Sequence, residues 1–246
     1  MAAVTAPTVV LFDLDDTLFA HRLAVADGVT AHRRASGGLL ASADDAAEIA
    51  RWNQLEEIHY HRYLSGEVGF RDQRRHRARA FVAPFGIDLE TDAAADAWFG
   101  AYLIEYERAW TLHDDVFACL DALEETIPGV RFGIITNAEL PFQQSKLDAL
   151  GLTPRMEHIV ASGEVGAAKP DPLIFRHAVA LYGVPAGEAV YVGDRLQTDA
   201  VGATSAGLTG VWLNRRGAVT AEEAAIVAES GVSVIASLAE LPALLG

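Results

Sequence analysis

The sequence predicts an α/β protein: a doubly wound parallel sheet with an all-helical segment inserted near its start. Three observations carry this. A short apolar run, Val9-Val10-Leu11-Phe12, ends abruptly in the acidic stretch Asp13-Leu14-Asp15-Asp16-Thr17. From about residue 130 onward, short apolar runs alternate with amphipathic stretches. Between the two lies a long segment whose apolar spacing is helical. Near-continuous apolar strands alternating with helices are what a parallel sheet covered on both faces requires.

Taken in chain order, the first strand runs Val9–Asp13. No further strand follows until Phe132, and residues 19–112 read as helix. Ser42-x-x-Asp45 offers a cap for one helix, with Ile49, Trp52, Leu55 and His59 along one face. Leu39 to Ser42, after Gly37-Gly38, reads only as a turn. Further helices are predicted from about Phe70 to Val82 and from Thr91 to Ala109. Later strands are predicted at Phe132–Ile135, His158–Ala161, Ala189–Val192, Leu208–Leu213 and Val232–Ile235. The segments between them carry helix punctuation. Pro141 opens one and Gly151 closes it. Asp171-Pro172 is an N-cap with proline in the first turn, and Gly183 ends that helix. Gly207 closes another, and Thr220-x-x-Glu223 is a capping box. The predicted units are 1–18 with 113–246, bearing the sheet, and 19–112, helical.

With 246 residues, 51% hydrophobic and 22% charged, the chain is long enough for a substantial core. A net charge of −15 argues against nucleic acid and anionic membrane as partners, both of which need clustered Lys and Arg. No run of about 18 apolar residues exists to span a bilayer, and Met1 to Leu11 lacks the basic start of a signal peptide. Cys119 is the only cysteine, so no intrachain disulfide forms, which favours a reducing cytoplasm. Cys119 itself reads as a core residue. The protein is expected to be cytoplasmic, as a monomer or homodimer.

Ligands of open parallel sheets sit at the carboxyl ends of the strands. Those ends carry Asp13 and Asp15, Thr136-Asn137, and Gly193-Asp194 followed by Asp199, with Lys169 in the loop before the Asp171-Pro172 helix. Buried acids of this kind call for a counter-charge, and Mg²⁺ takes hard oxygen ligands of which Asp13 and Asp194 form the natural pair. An ionised Asp13 is a competent nucleophile at phosphorus. Asp15 is placed to protonate a leaving alkoxide and then to activate water. To be half neutral at pH 7 it would have to titrate about three pH units above the ordinary range, worth about 4 kcal/mol. Thr136 and backbone amides near Asn137 suit phosphate oxygens, and Lys169 suits a bridge between Asp13 and the phosphate. Gly163 and Gly166 lead to Lys169-Pro170, so a Walker P-loop is excluded. His59 and His61, two apart on a helix, face different ways and do not make a metal pair.

Four segments together resemble the motifs of the haloacid dehalogenase-like hydrolase superfamily: Phe12 to Leu18, Ile134 to Asn137, Lys169-Pro170, and Gly193 to Asp199. The resemblance implies a Rossmann-like core with a helical cap over residues 19–112. It also implies Asp13 as nucleophile, Asp15 as acid/base, and Mg²⁺ held by Asp13, the Asp15 carbonyl and Asp194. Asp199 would be a weak ligand or a partner of the ligands, and Thr136 and Lys169 would bind phosphate. Dehalogenases of this family usually lack the acid at position 15, so Asp15 points to the phosphatase branch. A phosphomutase, a dehalogenase-type hydrolase or a non-catalytic binding protein on the same scaffold are the alternatives. Arginines Arg71, Arg74, Arg75, Arg77 and Arg79 read mainly as a solvated face with intramolecular partners. Arg71 and Arg74 are the candidates for a substrate carboxylate or second phosphate.

Overall fold

The computed structural model describes residues 7–246. Expectations for Met1 to Ala6, including most of the leader reading, lie outside the described residues. The chain divides into two compact units, residues 7–20 with 111–246, and residues 21–110.

The first unit is built on six strands: β1 (Val9–Phe12), β2 (Arg131–Thr136), β3 (His158–Ala161), β4 (Ala189–Gly193), β5 (Thr209–Leu213) and β6 (Ser233–Ile235). They form one all-parallel sheet in the order β3-β2-β1-β4-β5-β6. The chain walks outward from β1 to β3 and then returns to the other side of β1 as β4. The order therefore reverses between β1 and β4, where sheets of this kind open a ligand crevice. All four residues of β1 are buried, which explains its unbroken apolar run.

On one face Val9, Leu11, Ile135 and Tyr191 pack with Ile174, Phe175, Ala178 and Val179 of the helix Pro172–Tyr182. Each large side chain so buried contributes roughly 1.5–3 kcal/mol. The helix starts where Asp171 accepts from the Leu173 N–H at 2.9 Å and ends at Gly183. After β4 the chain takes a π-helical turn, Leu196–Val201, that carries Asp199 inward. Thr220 and Glu223 form the expected capping box. Cys119 is buried in the helix Val116–Thr126, and burial pushes its thiol up to about 12.

A buried-edge network pins the loop after β1. Arg215 donates to both oxygens of Asp115 at 2.9 Å and to the Thr17 carbonyl at 3.0 Å. Asp115 also accepts from the Ser237 hydroxyl at 2.7 Å and the Leu238 N–H at 2.9 Å. Burial alone would raise the Asp115 carboxyl, but Arg215, Ser237 and the Leu238 N–H outweigh it and hold it at about 2. A carboxyl depressed in the folded state stabilises above its unfolded value of 3.8 and loses that contribution as pH falls towards 2. Discounted for partial exposure, this is about 1 kcal/mol. Asp115→Asn should lower Tm at neutral pH and shrink the gap to wild type as pH drops from 4 to 2; a gap independent of pH would count against the network.

The second unit contains the helices His21–Ser36, Gly38–Ser42, Asp45–Leu64, Phe70–Val82 and Asp92–Arg108. Trp52 is fully buried at its centre, 4.5 Å from the ring of Tyr102 and 5.0 Å edge-on to Phe81. Gly28 lets the first of these helices approach the last: a Cβ there would lie 2.7 Å from the Tyr106 Cα. Two local expectations need correcting. Gly37-Gly38 opens a short helix and not merely a turn. Ser42 does not cap the helix Asp45–Leu64, because its hydroxyl folds back onto the Leu39 carbonyl at 3.1 Å. Asp44 takes that role, accepting from the Ala47 N–H at 2.8 Å. Among the described residues no helix is long and apolar enough to cross a membrane.

Candidate active site

The site residues arrive on the carboxyl ends of β1, β2 and β4 and on the loop before the helix Pro172–Tyr182. Asp13 directly follows β1, its N–H donating to the Val192 carbonyl of β4 at 2.8 Å. The chain then turns sharply. The Leu14 carbonyl accepts from Leu18 at 3.0 Å and Phe19 at 2.9 Å, and Asp16 takes a φ of 63°, a left-handed conformation that aspartate tolerates better than most residues. This turn keeps Asp15 at the same rim as Asp13.

Lys169 organises the centre. It is 5% exposed, and its ammonium donates to Asp13 Oδ1 at 2.6 Å, Asp199 Oδ1 at 2.7 Å and the Tyr191 hydroxyl at 2.7 Å. These bonds match its three N–H donors. The Tyr191 hydroxyl in turn donates to the Ile135 carbonyl at 3.0 Å. The Lys169 backbone is fixed by Asn137, whose side chain donates to the Lys169 carbonyl at 2.8 Å and accepts from its N–H at 2.7 Å. The Asn137 side chain thus holds the lysine loop.

Asp199 is fully buried and accepts from the Arg195 N–H at 3.0 Å as well as from Lys169. It can sit there because residue 193 is glycine: a Cβ at Gly193 would lie 2.5 Å from the Asp199 side chain. Asp194 follows, its carbonyl held by the Trp212 indole N–H at 2.9 Å. Carboxylate oxygens of Asp13, Asp194 and Asp199 all lie within 4.8 Å of one another, the one group of its kind among the described residues.

The electrostatics of this cluster are unbalanced. Burial, then Asp199 and Asp15, push the Asp13 carboxyl up to about 7 against the pull of Lys169. Burial, then Asp13 and Asp199, push Asp194 well above the ordinary range. Burial opposes the charge on Lys169, yet Asp13 and Asp199 outweigh it and raise its pKa. Three carboxylates crowd together here, and the Lys169 ammonium bonds two of them, Asp13 and Asp199. A hard divalent cation fits this donor set, which is all oxygen and in need of positive charge.

A second cluster was not foreseen. Gln143 and Lys146 lie on the helix Leu140–Ala149 that follows β2, and both are buried. Lys146 donates to Asp15 Oδ1 at 2.6 Å. The Gln143 amide donates to Asp15 Oδ2 at 3.0 Å and to Thr136 Oγ1 at 2.8 Å. Because Thr136 accepts from Gln143, its own hydroxyl proton is directed elsewhere, as a phosphate donor requires. One signal was available. Lys146 and Lys169 are the only lysines in the chain, every other basic residue apart from histidine being arginine.

Among the helical-unit candidates, Arg71 is largely exposed and paired with Asp96 at 2.8 Å. The Arg74 guanidinium lies 4.3 Å over the Phe70 ring, and burial with Arg77 nearby lowers its pKa to about 10. Arg75, Arg77 and Arg79 pair with acids of the same unit. Arg71 and Arg74 both lie on the helix Phe70–Val82, Arg71 engaged by Asp96 and Arg74 by the Phe70 ring.

Comparison with known proteins finds a matching family and several relatives. The family profile described as haloacid dehalogenase-like hydrolase matches residues 7–207. The chain is 33% identical over 208 residues to glyceraldehyde 3-phosphate phosphatase of Methanopyrus kandleri, covering 84% of this chain and 83% of that protein. It is 38% identical over 136 residues to N-acylneuraminate-9-phosphatase of Rattus norvegicus, covering 55% of this chain and about half, 52%, of that protein. The fold matches that of the HAD-hydrolase YfnB of Bacillus subtilis, with a TM-score of 0.77 at 22% identity, over 98% of this chain and 99% of the other. A profile spanning most of the chain makes the protein a hydrolase and a member of the haloacid dehalogenase-like family.

Proposed function

We propose that the protein is a Mg²⁺-dependent phosphatase of a small phosphomonoester, working through an aspartyl-phosphate on Asp13. The carrying observation is the cluster of Asp13, Asp194 and Asp199, two of whose carboxylates bond the Lys169 ammonium. The relatives named as phosphatases, and the presence of Asp15, support the same reading.

In this mechanism a carboxylate oxygen of Asp13 attacks phosphorus and the bond to the leaving oxygen breaks. Asp15 supplies a proton to that oxygen. Asp15 then takes a proton from water, which attacks phosphorus, breaks the bond to Asp13 and releases phosphate. Lys169 orients Asp13 through its hydrogen bond, and the Thr136 hydroxyl donates to a phosphate oxygen. Asp13, Asp194 and the Asp15 carbonyl are assigned as metal ligands, with Asp199 behind them. Mg²⁺ held there would supply positive charge that keeps Asp13 ionised and offsets the negative charge of the phosphate.

The test is p-nitrophenyl phosphate hydrolysis with Mg²⁺ and with EDTA. Chelation should reduce phosphate release by roughly a hundred-fold or more, restored by added Mg²⁺. Hydrolysis indifferent to EDTA would refute the metal-dependent mechanism.

A further inference from the structure

Lys146 is a lysine only 2% exposed, and the mechanism above leaves it unused. Its environment is built for a compact cation. The ammonium lies 4.7 Å from the Phe19 ring centroid and 5.1 Å from that of Phe142, and donates to Asp15. Three residues earlier on the same helix, Gln143 is completely buried. Residues three apart on a helix share a face, so both side chains reach the sheet edge together. Only one orientation of the Gln143 amide suits its neighbours: the reverse would set its oxygen against the Asp15 carboxylate. In the orientation found, one NH₂ group spans Asp15 and Thr136, while the Gln143 Oε1 is buried without a hydrogen-bond partner. An orphaned buried acceptor is unfavourable, a sign that the amide is held by its other end.

We propose that Lys146 and Gln143 are positioning residues for Asp15, a clamp that fixes this carboxylate relative to the phosphate-binding hydroxyl of Thr136. Lys146 sets one oxygen and Gln143 the other. The shared Gln143 amide then couples the placement of Asp15 to that of Thr136. A leaving oxygen attached to a phosphate held by Thr136 therefore meets Asp15 at a fixed distance. Lysine suits the place better than arginine, because a compact ammonium fits between two rings where a planar fork would demand more space. The inference rests on the proposed phosphatase reading, since it assigns a job to the acid/base of that reaction.

Leaving-group dependence tests it. p-Nitrophenolate leaves readily without a proton, whereas phenolate gains more from an acid. The probes are therefore p-nitrophenyl phosphate and phenyl phosphate, assayed with Mg²⁺ on wild type, Lys146→Met, Gln143→Leu and Asp15→Asn. Gln144→Ala, on the same helix but bonded outward to Asp148, serves as the control. Positioned acid catalysis is worth about 10²–10⁴-fold, so Lys146→Met should lose roughly ten-fold or more on phenyl phosphate than on p-nitrophenyl phosphate, in the direction Asp15→Asn sets. Gln143→Leu should show the same selectivity together with a raised KM for both probes, because Thr136 also loses its partner. A crystal structure of Lys146→Met should find Asp15 beyond hydrogen-bond distance of Gln143. Equal losses on both probes in a folded Lys146→Met, or no loss, overturn the clamp. Should that variant not fold, an unchanged probe ratio in Gln143→Leu does so instead. A wild type inactive on both probes sinks the phosphatase reading, a distinct result.

Discussion

Asp13→Asn should abolish phosphate release and at the same time make the metal-free protein more stable at neutral pH. Asparagine is nearly isosteric, and its carbonyl still accepts from Lys169, so the fold has no reason to change. The amide is no nucleophile, and turnover should fall by roughly a thousand-fold or more. The stability gain follows from charge. Burial, then Asp199 and Asp15, raise the Asp13 carboxyl from 3.8 to about 7 in the folded state. A carboxyl raised on folding contributes its stability fully below the unfolded value and loses it as pH climbs through the folded one. Metal-free wild type should therefore melt at falling temperature between pH 4 and pH 7. The upper bound on this contribution is on the order of 4 kcal/mol. In Asp13→Asn the slope should flatten, leaving what Asp194 contributes. Mg²⁺ should raise the Tm of wild type and do so less in the variant. Parallel melting curves for the two proteins from pH 4 to 7 would show that Asp13 carries no such penalty.

The sheet and the primary site were legible in the sequence for a physical reason. Parallel strands buried on both faces must be apolar throughout, so a polar residue where the run stops is conspicuous. Asp13, Thr136 and Asp194 stand at such stops. What stayed hidden was polar chemistry inside regular elements. Tyr191 sits in the middle of β4 and reads as one more apolar strand residue, yet its hydroxyl completes the shell of Lys169. Gln143 and Lys146 lie on a helix where exposed polar residues are the rule, and nothing in the spacing marks them as buried. Asp115 and Arg215 are distant in sequence, and only the fold brings them together beneath Thr17. The helical unit was legible as helices but not at its caps. Ser42 and Asp44 are both good capping residues two positions apart, and the choice between them turns on the short helix before them.

Lys169→Met should cost both stability and activity, and the two losses should separate in a double variant. The ammonium lies between Asp13 and Asp199, whose side chains are 10% and 1% exposed. Removing it leaves two buried carboxylates facing each other with no cation from the chain. Breaking a buried pair in this way typically costs about 3–5 kcal/mol, which for a chain of this size is roughly 10 °C in Tm. Asp199→Asn in the same background removes one of the stranded charges, so Lys169→Met with Asp199→Asn should recover much of the Tm. Activity should not return, because Asp13 still lacks the donor that orients it and the methionine cannot replace it. Mg²⁺ should rescue the Tm of Lys169→Met in part, by meeting the charge the lysine left behind. A Lys169→Met protein that melts with wild type and turns over at a comparable rate would mean that the three hydrogen bonds of this ammonium neither hold the fold nor serve the reaction. Recovery of activity along with Tm in the double variant would assign Lys169 to charge balance alone.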